Sequence, residues 1–120
     1  RNAQGLQQAI QEIRALREQF WSDIKIPGTI NDFNPELDKA NRVADFIELG
    51  ELMCIDALNR SESCGGHFRE EHQTEEGEAL RHDAEFMFVS AWEYLPGAQW
   101  QLHKEKLEYE VVKPSQRSYK

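Results

Sequence analysis

Asn59-Arg60-Ser61-Glu62-Ser63-Cys64-Gly65-Gly66-His67-Phe68-Arg69-Glu70-Glu71 divides this chain in two. Upstream the sequence reads as helix; downstream it reads as an acidic loop and then β-structure. The change falls at Gly65-Gly66, where a backbone free of Cβ can take positive φ and close a helix. His67 and Arg69 follow at once, so this charged helix end is expected to dock on something polar.

The helix that runs into this hinge starts at Asn34-Pro35, with Asn34 as cap and Pro35 at the first helical position, where its missing N–H costs nothing. It is expected over 35–63. Leu37, Ala40, Val43, Ala44, Ile47, Cys54, Ile55 and Leu58 form its main apolar stripe. Phe46, Leu49, Met53 and Ala57 form a second strip beside it. Two strips imply two neighbours. Gly50 lies mid-helix at a cost of about 1 kcal/mol relative to Ala, offset by close approach of a neighbouring backbone or simply tolerated.

One neighbour is supplied by the segment before it. Leu6, Ala9, Ile10, Ile13, Leu16, Phe20 and Ile24 recur at three- and four-residue steps, which predicts a helix over 2–24 capped by Asn2. Gln7, Gln8, Gln11, Glu12, Arg14, Arg17 and Glu18 occupy its other faces. Lys25-Ile26-Pro27-Gly28 ends it. The two helices are expected to form an antiparallel pair.

Beyond the hinge, residues 64–84 show no periodicity and read as a long loop of the kind that is functional or disordered, with a short helical turn around 75–80 as an option. Phe86, Phe88, Ser90, Trp92 and Tyr94 alternate with Met87, Val89, Ala91 and Glu93, the period-two pattern of a strand. Pro96-Gly97 marks a turn, giving a hairpin over 85–112. On the return strand Trp100 and Leu102 have one parity and Leu107, Tyr109 and Val111 the other, which predicts a bulge or break between His103 and Lys106. Pro114 ends the pairing, and 115–120 is a polar tail. The fold class is therefore mainly α with a small C-terminal β-hairpin.

A chain of 120 residues, 39% hydrophobic and 30% charged, is one domain with a single modest core. No apolar run approaches the roughly 20 residues that cross a bilayer, and no signal-peptide pattern is present. The chain opens on Arg1 without an initiator methionine, as expected of a piece excised from a longer protein. A net charge of −8, from 22 acids against 14 bases, argues against nucleic acid, which requires clustered Lys and Arg. The run 69–78 holds five glutamates and reads as a solvated loop or a face for a basic partner. If one helix passes through Cys54 and Cys64 they stand about 15 Å apart at about 1.5 Å per residue. That exceeds the Cα spacing of about 7 Å a disulfide tolerates. Free thiols suit a reducing cytoplasm.

Three constellations could carry chemistry. Cys54, Cys64, His67, His72 and His82 include one Cys-x-x-His spacing suited to zinc, but the second such motif that a strong zinc signature needs is missing. Cys64 with His67 could form a nucleophile and base, though no orienting group or oxyanion site is legible. Glu62, Glu70 and Glu71 could form an acid/base pair; pairing of Glu62 with an arginine is the simpler reading. No Gly-rich phosphate loop follows a strand, and with this net charge the aromatic strand is core or interface, not a base-stacking platform. The residues by themselves describe an α+β accessory domain with surplus apolar surface.

The hinge adds a resemblance. Ala57-Leu58-x-Arg60-x-Glu62-Ser63-x-Gly65-x-His67-x-Arg69 resembles the motif A-L-x-R-x-E-S-R-G-A-H-x-R near the C-terminus of flavoprotein subunits of succinate dehydrogenase and fumarate reductase, a version of which L-aspartate oxidase carries. Phe33-Asn34-Pro35-Glu36-Leu37, Glu48-Leu49-x-Glu51-Leu52, Leu102-His103-Lys104-Glu105 and Leu107-x-Tyr109 also fit that family. Cys64 stands where the family has arginine and Gly66 where it has alanine, so any ion pair of that arginine is absent.

The resemblance implies a subunit that binds FAD in an upstream domain and passes a hydride between succinate and the flavin N5. Electrons would leave through an iron–sulfur subunit, with a membrane cytochrome b reached indirectly at the cytoplasmic face of a bacterial inner membrane. It implies no catalytic, flavin-binding or metal-binding residue and no cofactor in this chain. Arg60, Glu62, Ser63, Gly65, His67 and Arg69 would be polar contacts to the flavin domain. The helical pair would be two members of a three-helix, spectrin-repeat-like bundle, and the isolated chain would bury its spare strip by self-association. A stand-alone acidic helical interaction module is the alternative, followed by a zinc-binding regulator.

Overall fold

The computed structural model describes residues 1–116 and residue 118. The chain divides into two compact units, one of Asn2–Asn59 and one of Arg1 with Arg60–Lys120.

The first unit is a helical pair: α1, Ala3–Asp23, and α2, Pro35–Asn59. Asn2 is extended, and its side-chain oxygen accepts the Gly5 N–H at 2.7 Å, satisfying one of the free donors of the first turn. Asn34 does the same for α2, accepting from the N–H groups of Glu36 at 3.1 Å and Leu37 at 3.3 Å. Its amide also donates to the Pro27 carbonyl at 3.0 Å, fastening the connector to the helix start. Gly28 is required there: φ is +104°, and a Cβ would stand 2.6 Å from the Asn34 side-chain nitrogen.

Arg14 pairs with Glu51 and Arg17 with Glu48, so the helices run antiparallel. Leu6, Ile10, Ile47 and Ala57 are buried. Of the second strip of α2 only Ala57 is covered: Phe46, Leu49 and Met53 are 67%, 54% and 60% exposed. Gly50 meets no neighbouring backbone; a Cβ there would touch only the Ile13 Cδ1, at an ordinary 3.8 Å. Tolerance, not close approach, accounts for it.

In the second unit, α3 (Asp83–Phe86) leads into an antiparallel hairpin of β1 (Phe88–Leu95) and β2 (Gln99–Lys106). α2 stops at Asn59, before the expected end at 63, and the reason is competition for donors. A longer helix would send the Ser63 and Cys64 N–H groups back to its own carbonyls. Instead Ser63 donates to Leu80 O at 2.8 Å and Cys64 to His67 O at 2.8 Å.

The stretch after the hinge is not structureless. Gln73 and Ala79 form a β-bridge, Thr74 N–H donates to Glu78 O at 2.9 Å, and Gly77, at φ +80°, turns the tip. No helix forms at 75–80; the local helix is α3, and it takes Phe86, which the alternation assigned to the strand. The hairpin pairs without interruption from Phe88↔Lys106 to Leu95↔Gln99, so the expected bulge is absent. The parity change has another cause: Leu107 and Tyr109 lie past the last pair, where the chain has left the ladder after one more bond, Leu107 N–H to Met87 O at 3.1 Å. Of the polar tail, Ser115 and Gln116 lie along 79–81 through Arg81 Nη1 to Ser115 O at 3.1 Å and Gln116 Nε2 to Ala79 O at 3.3 Å. The rest of that tail, apart from Ser118, is outside the described residues.

Candidate functional site

The hinge becomes a knot of mutually satisfied polar groups. Cys64 and His67 exchange backbone hydrogen bonds of 2.8 and 3.0 Å across a tight turn, and Gly65 at φ +58° supplies the left-handed residue it needs. Ser63, with no exposed surface, has its hydroxyl accept the Arg69 N–H at 2.8 Å and donate to the Arg69 carbonyl at 3.2 Å. These two bonds close the turn behind Cys64–His67.

Two charged residues are buried beside it. Glu62, 1% exposed, binds the Arg60 guanidinium through Oε1 at 2.6 and 2.7 Å and accepts the His82 backbone N–H through Oε2 at 2.8 Å. Arg60 also donates to the Phe86 carbonyl at 3.1 Å and lies over the Phe86 ring. Buried charges persist only when paired and hydrogen-bonded in this way. Arg69, 3% exposed, pairs with Glu71 at 3.2 Å and reaches the Arg60 carbonyl at 3.5 Å.

His67 ties the start of the chain to the hinge. Its Nε2 bonds the Arg60 carbonyl at 3.0 Å, so Nε2 carries the proton and Nδ1 is left to accept from Arg1 Nη1 at 3.4 Å. Beside this pair the Arg1 carbonyl accepts the Glu70 N–H at 2.8 Å.

Of the six residues singled out from the sequence, Glu62, Ser63 and Arg69 are buried, and Arg60 and His67 are half-buried. Both oxygens of Glu62 and both ring nitrogens of His67 have partners inside this unit. Only Gly65 is open to solvent, with Gly66 and Phe68 next to it. What the arrangement can do chemically is fix the backbone geometry of the turn and present its tip. Glu70 and Glu71 are exposed and stand by Arg1 and Arg69, not with Glu62 as an acid/base pair. Cys54 and Cys64 are free thiols, both half-buried. Among the described residues no group of three or more His, Cys, Asp or Glu is placed to hold a metal ion.

Pattern reading missed a second buried charge, in the helical pair. Glu51 has no exposed surface and binds Arg14 at 2.6 Å and Arg17, while Arg17 also meets Glu48 at 2.8 Å. Arg14 and Arg17, assigned to the outer faces of α1, turn toward α2 instead. Burial by itself raises the Glu51 carboxyl, but the hydrogen bonds from Arg17 and Arg14 outweigh it and hold the group below the usual carboxylate range. The available signal was two arginines three residues apart facing two glutamates three residues apart. The partners of the hinge motif, the His82 N–H and the Phe86 carbonyl, leave no sequence signal because they are backbone.

An antiparallel helical pair, a hydrogen-bonded hinge and a terminal hairpin define an α+β accessory domain built around a structural knot. The chain belongs to the fumarate reductase flavoprotein C-terminal family, whose pattern matches residues 1–119. It is the C-terminal domain of a flavoprotein subunit of the succinate dehydrogenase and fumarate reductase kind. Among solved structures it is similar to the FrdA chain of E. coli quinol fumarate reductase, in a mutant form, at 23% identity and a TM-score of 0.81. The match covers 97% of this chain and 19% of that one, so the chain spans about a fifth of its structural relative. No curated protein sequence matches it. No helix among the described residues is long and apolar enough to cross a membrane.

Proposed function

We propose that this chain is a scaffold within a larger FAD-containing subunit that interconverts succinate and fumarate, where it packs on the flavin domain through the tip of the hinge turn, and where the open strip of α2 receives a further helix of the same bundle. The observation that carries the reading is the family match across 1–119. The condition of the hinge supports it. Arg60, Glu62, Ser63 and Arg69 hold the turn in shape, leaving Gly65, Gly66 and Phe68 as the surface a neighbour would meet. Around this chain we place the flavin domain of the same subunit, an iron–sulfur subunit that receives electrons, and a membrane cytochrome b beyond it. The setting is the cytoplasmic face of a bacterial inner membrane.

The residues here do not fit a flavin. The one glycine-bearing turn of the hinge closes on itself through two backbone bonds and lacks the spaced glycines with which a βα turn cradles a pyrophosphate. None of the flavin chemistry is therefore assigned to side chains of this chain. The alternative of a stand-alone interaction module is not favoured, because the family pattern leaves almost no residue unmatched.

The test is to compare the full-length protein with a form lacking this region. The proposal expects flavin absorbance and succinate–fumarate activity in the full-length protein, no flavin in the isolated chain, and a lower thermal midpoint with faster flavin loss in the shortened form. A shortened form with unchanged stability, or flavin in the isolated chain, would overturn it.

A further inference from the structure

We propose that the edge-to-face contact between His72 and His82 is a pH-sensitive clasp, closing the loop 73–81 when both rings are neutral and releasing it when both carry a proton. The inference rests on the geometry of the second unit alone and stands apart from the flavoprotein reading.

The two histidines occupy the two feet of the loop. Their ring centroids are 5.6 Å apart, with planes inclined at 78°. Three bonds that shape the loop lie between those feet: the Leu80 N–H to His72 O bond of 3.2 Å, the Gln73–Ala79 bridge, and the Thr74–Glu78 bond at the tip; from outside, Ser63 N–H holds the Leu80 carbonyl at 2.8 Å and Gln73 Nε2 reaches the Glu70 carbonyl at 2.9 Å. The His82 foot is fixed to the hinge through its backbone bond to Glu62. Release would also free Gln116, which bonds the Ala79 carbonyl, and Ser118, which bonds the Glu78 carboxylate.

The charges around the clasp oppose a second proton. His72 faces the buried Arg69, His82 and His67, all of which disfavour its charged form, and only Glu71 favours it. Glu71 is already paired with Arg69. On the other side, Arg81 and Asp83 pair with each other, and both oxygens of Glu62 are engaged. Burial first, then Arg69, hold His72 below the ordinary imidazole value of 6.5. With the loop released, His72 loses that burial and returns toward its ordinary value. Proton uptake therefore favours the open form as pH falls below 6.5, and the closed form is fully favoured above it. Two unit charges at the ring separation of 5.6 Å repel enough to shift an opening equilibrium about threefold even in bulk water, and more in a less polar surround.

The experiment is hydrogen exchange by mass spectrometry on the full-length protein, corrected for intrinsic rates, at about pH 7.5 and about pH 5.5, conditions that bracket imidazole titration. The peptide spanning 73–81 is expected to open at least about threefold more at the lower pH. His72→Phe keeps a ring edge and removes the proton, and is expected to abolish the response. His72→Lys is expected to leave the loop open at both pH values. Equal protection of the wild-type peptide at both pH values, or a full response in His72→Phe, would overturn the clasp. An NMR titration of the wild-type rings needs no variant: coupled titration of His72 and His82 supports the clasp, and independent titration overturns it.

Discussion

Glu51 bears a full charge on a side chain with no exposed surface, and it can do so only because Arg14 and Arg17 bind it. Replacing it by glutamine leaves two arginines facing a neutral amide. Removing one partner of a buried pair costs about 3 kcal/mol, and Glu51→Gln is expected to lower the unfolding free energy by that order in urea titrations. The pH dependence follows from the depressed carboxyl. The stabilisation is present in full above the ordinary value of 4.5 and is lost as pH falls through the lower folded-state value, so the variant should show a flatter acid limb. An unchanged acid limb would count against the assignment. Polarity patterning placed Arg14 and Arg17 on the outer faces because it scores charge as exposed; it has no term for a charge answered by its opposite on the next helix. Glu62 was easier. Pairing with an arginine was expected of it, without saying which, and the partner is Arg60, two positions away.

At the scale of elements, the helices and the hairpin were legible because each repeats a period over many residues, and the aromatic alternation around Trp92 survived in the paired strand. What failed was local. The expected bulge assumed that pairing continued through Tyr109, whereas it ends at Lys106. The segment 64–84 looked shapeless because its order comes from backbone bonds such as Ser63 to Leu80, which hydrophobic spacing cannot register. Two glycines separate propensity from necessity. Gly50→Ala adds a methyl at 3.8 Å from Ile13 and removes a flexible helical residue, so it is expected to stabilise the protein by about 1 kcal/mol. Gly28→Ala meets the Asn34 side chain at 2.6 Å and strains a positive φ; a loss of more than about 1 kcal/mol is expected. Paired thermal melts of the two variants would check both signs.

On the scale of the whole molecule, Phe46, Leu49 and Met53 remain in solvent along α2. Serine at all three positions is expected to change the stability of the isolated chain by no more than about 0.5 kcal/mol per position, the usual range for surface substitutions. The same changes in the full-length protein should lower its thermal midpoint measurably, because there the strip would have a neighbour. Light scattering on the isolated chain at high concentration is expected to show self-association that the triple variant lacks. A monomeric wild-type chain would count against an uncovered strip seeking cover.

His67 grips Arg1 with one ring nitrogen and Arg60 with the other. Arg1 and Arg60, the residues that flank 2–59 in the chain, thus meet at a single imidazole, like two rails that share one stop. A segment with its feet so close is a natural cassette: a short linker could bridge the gap, and the pair could be spliced into a foreign surface loop without stretching its host.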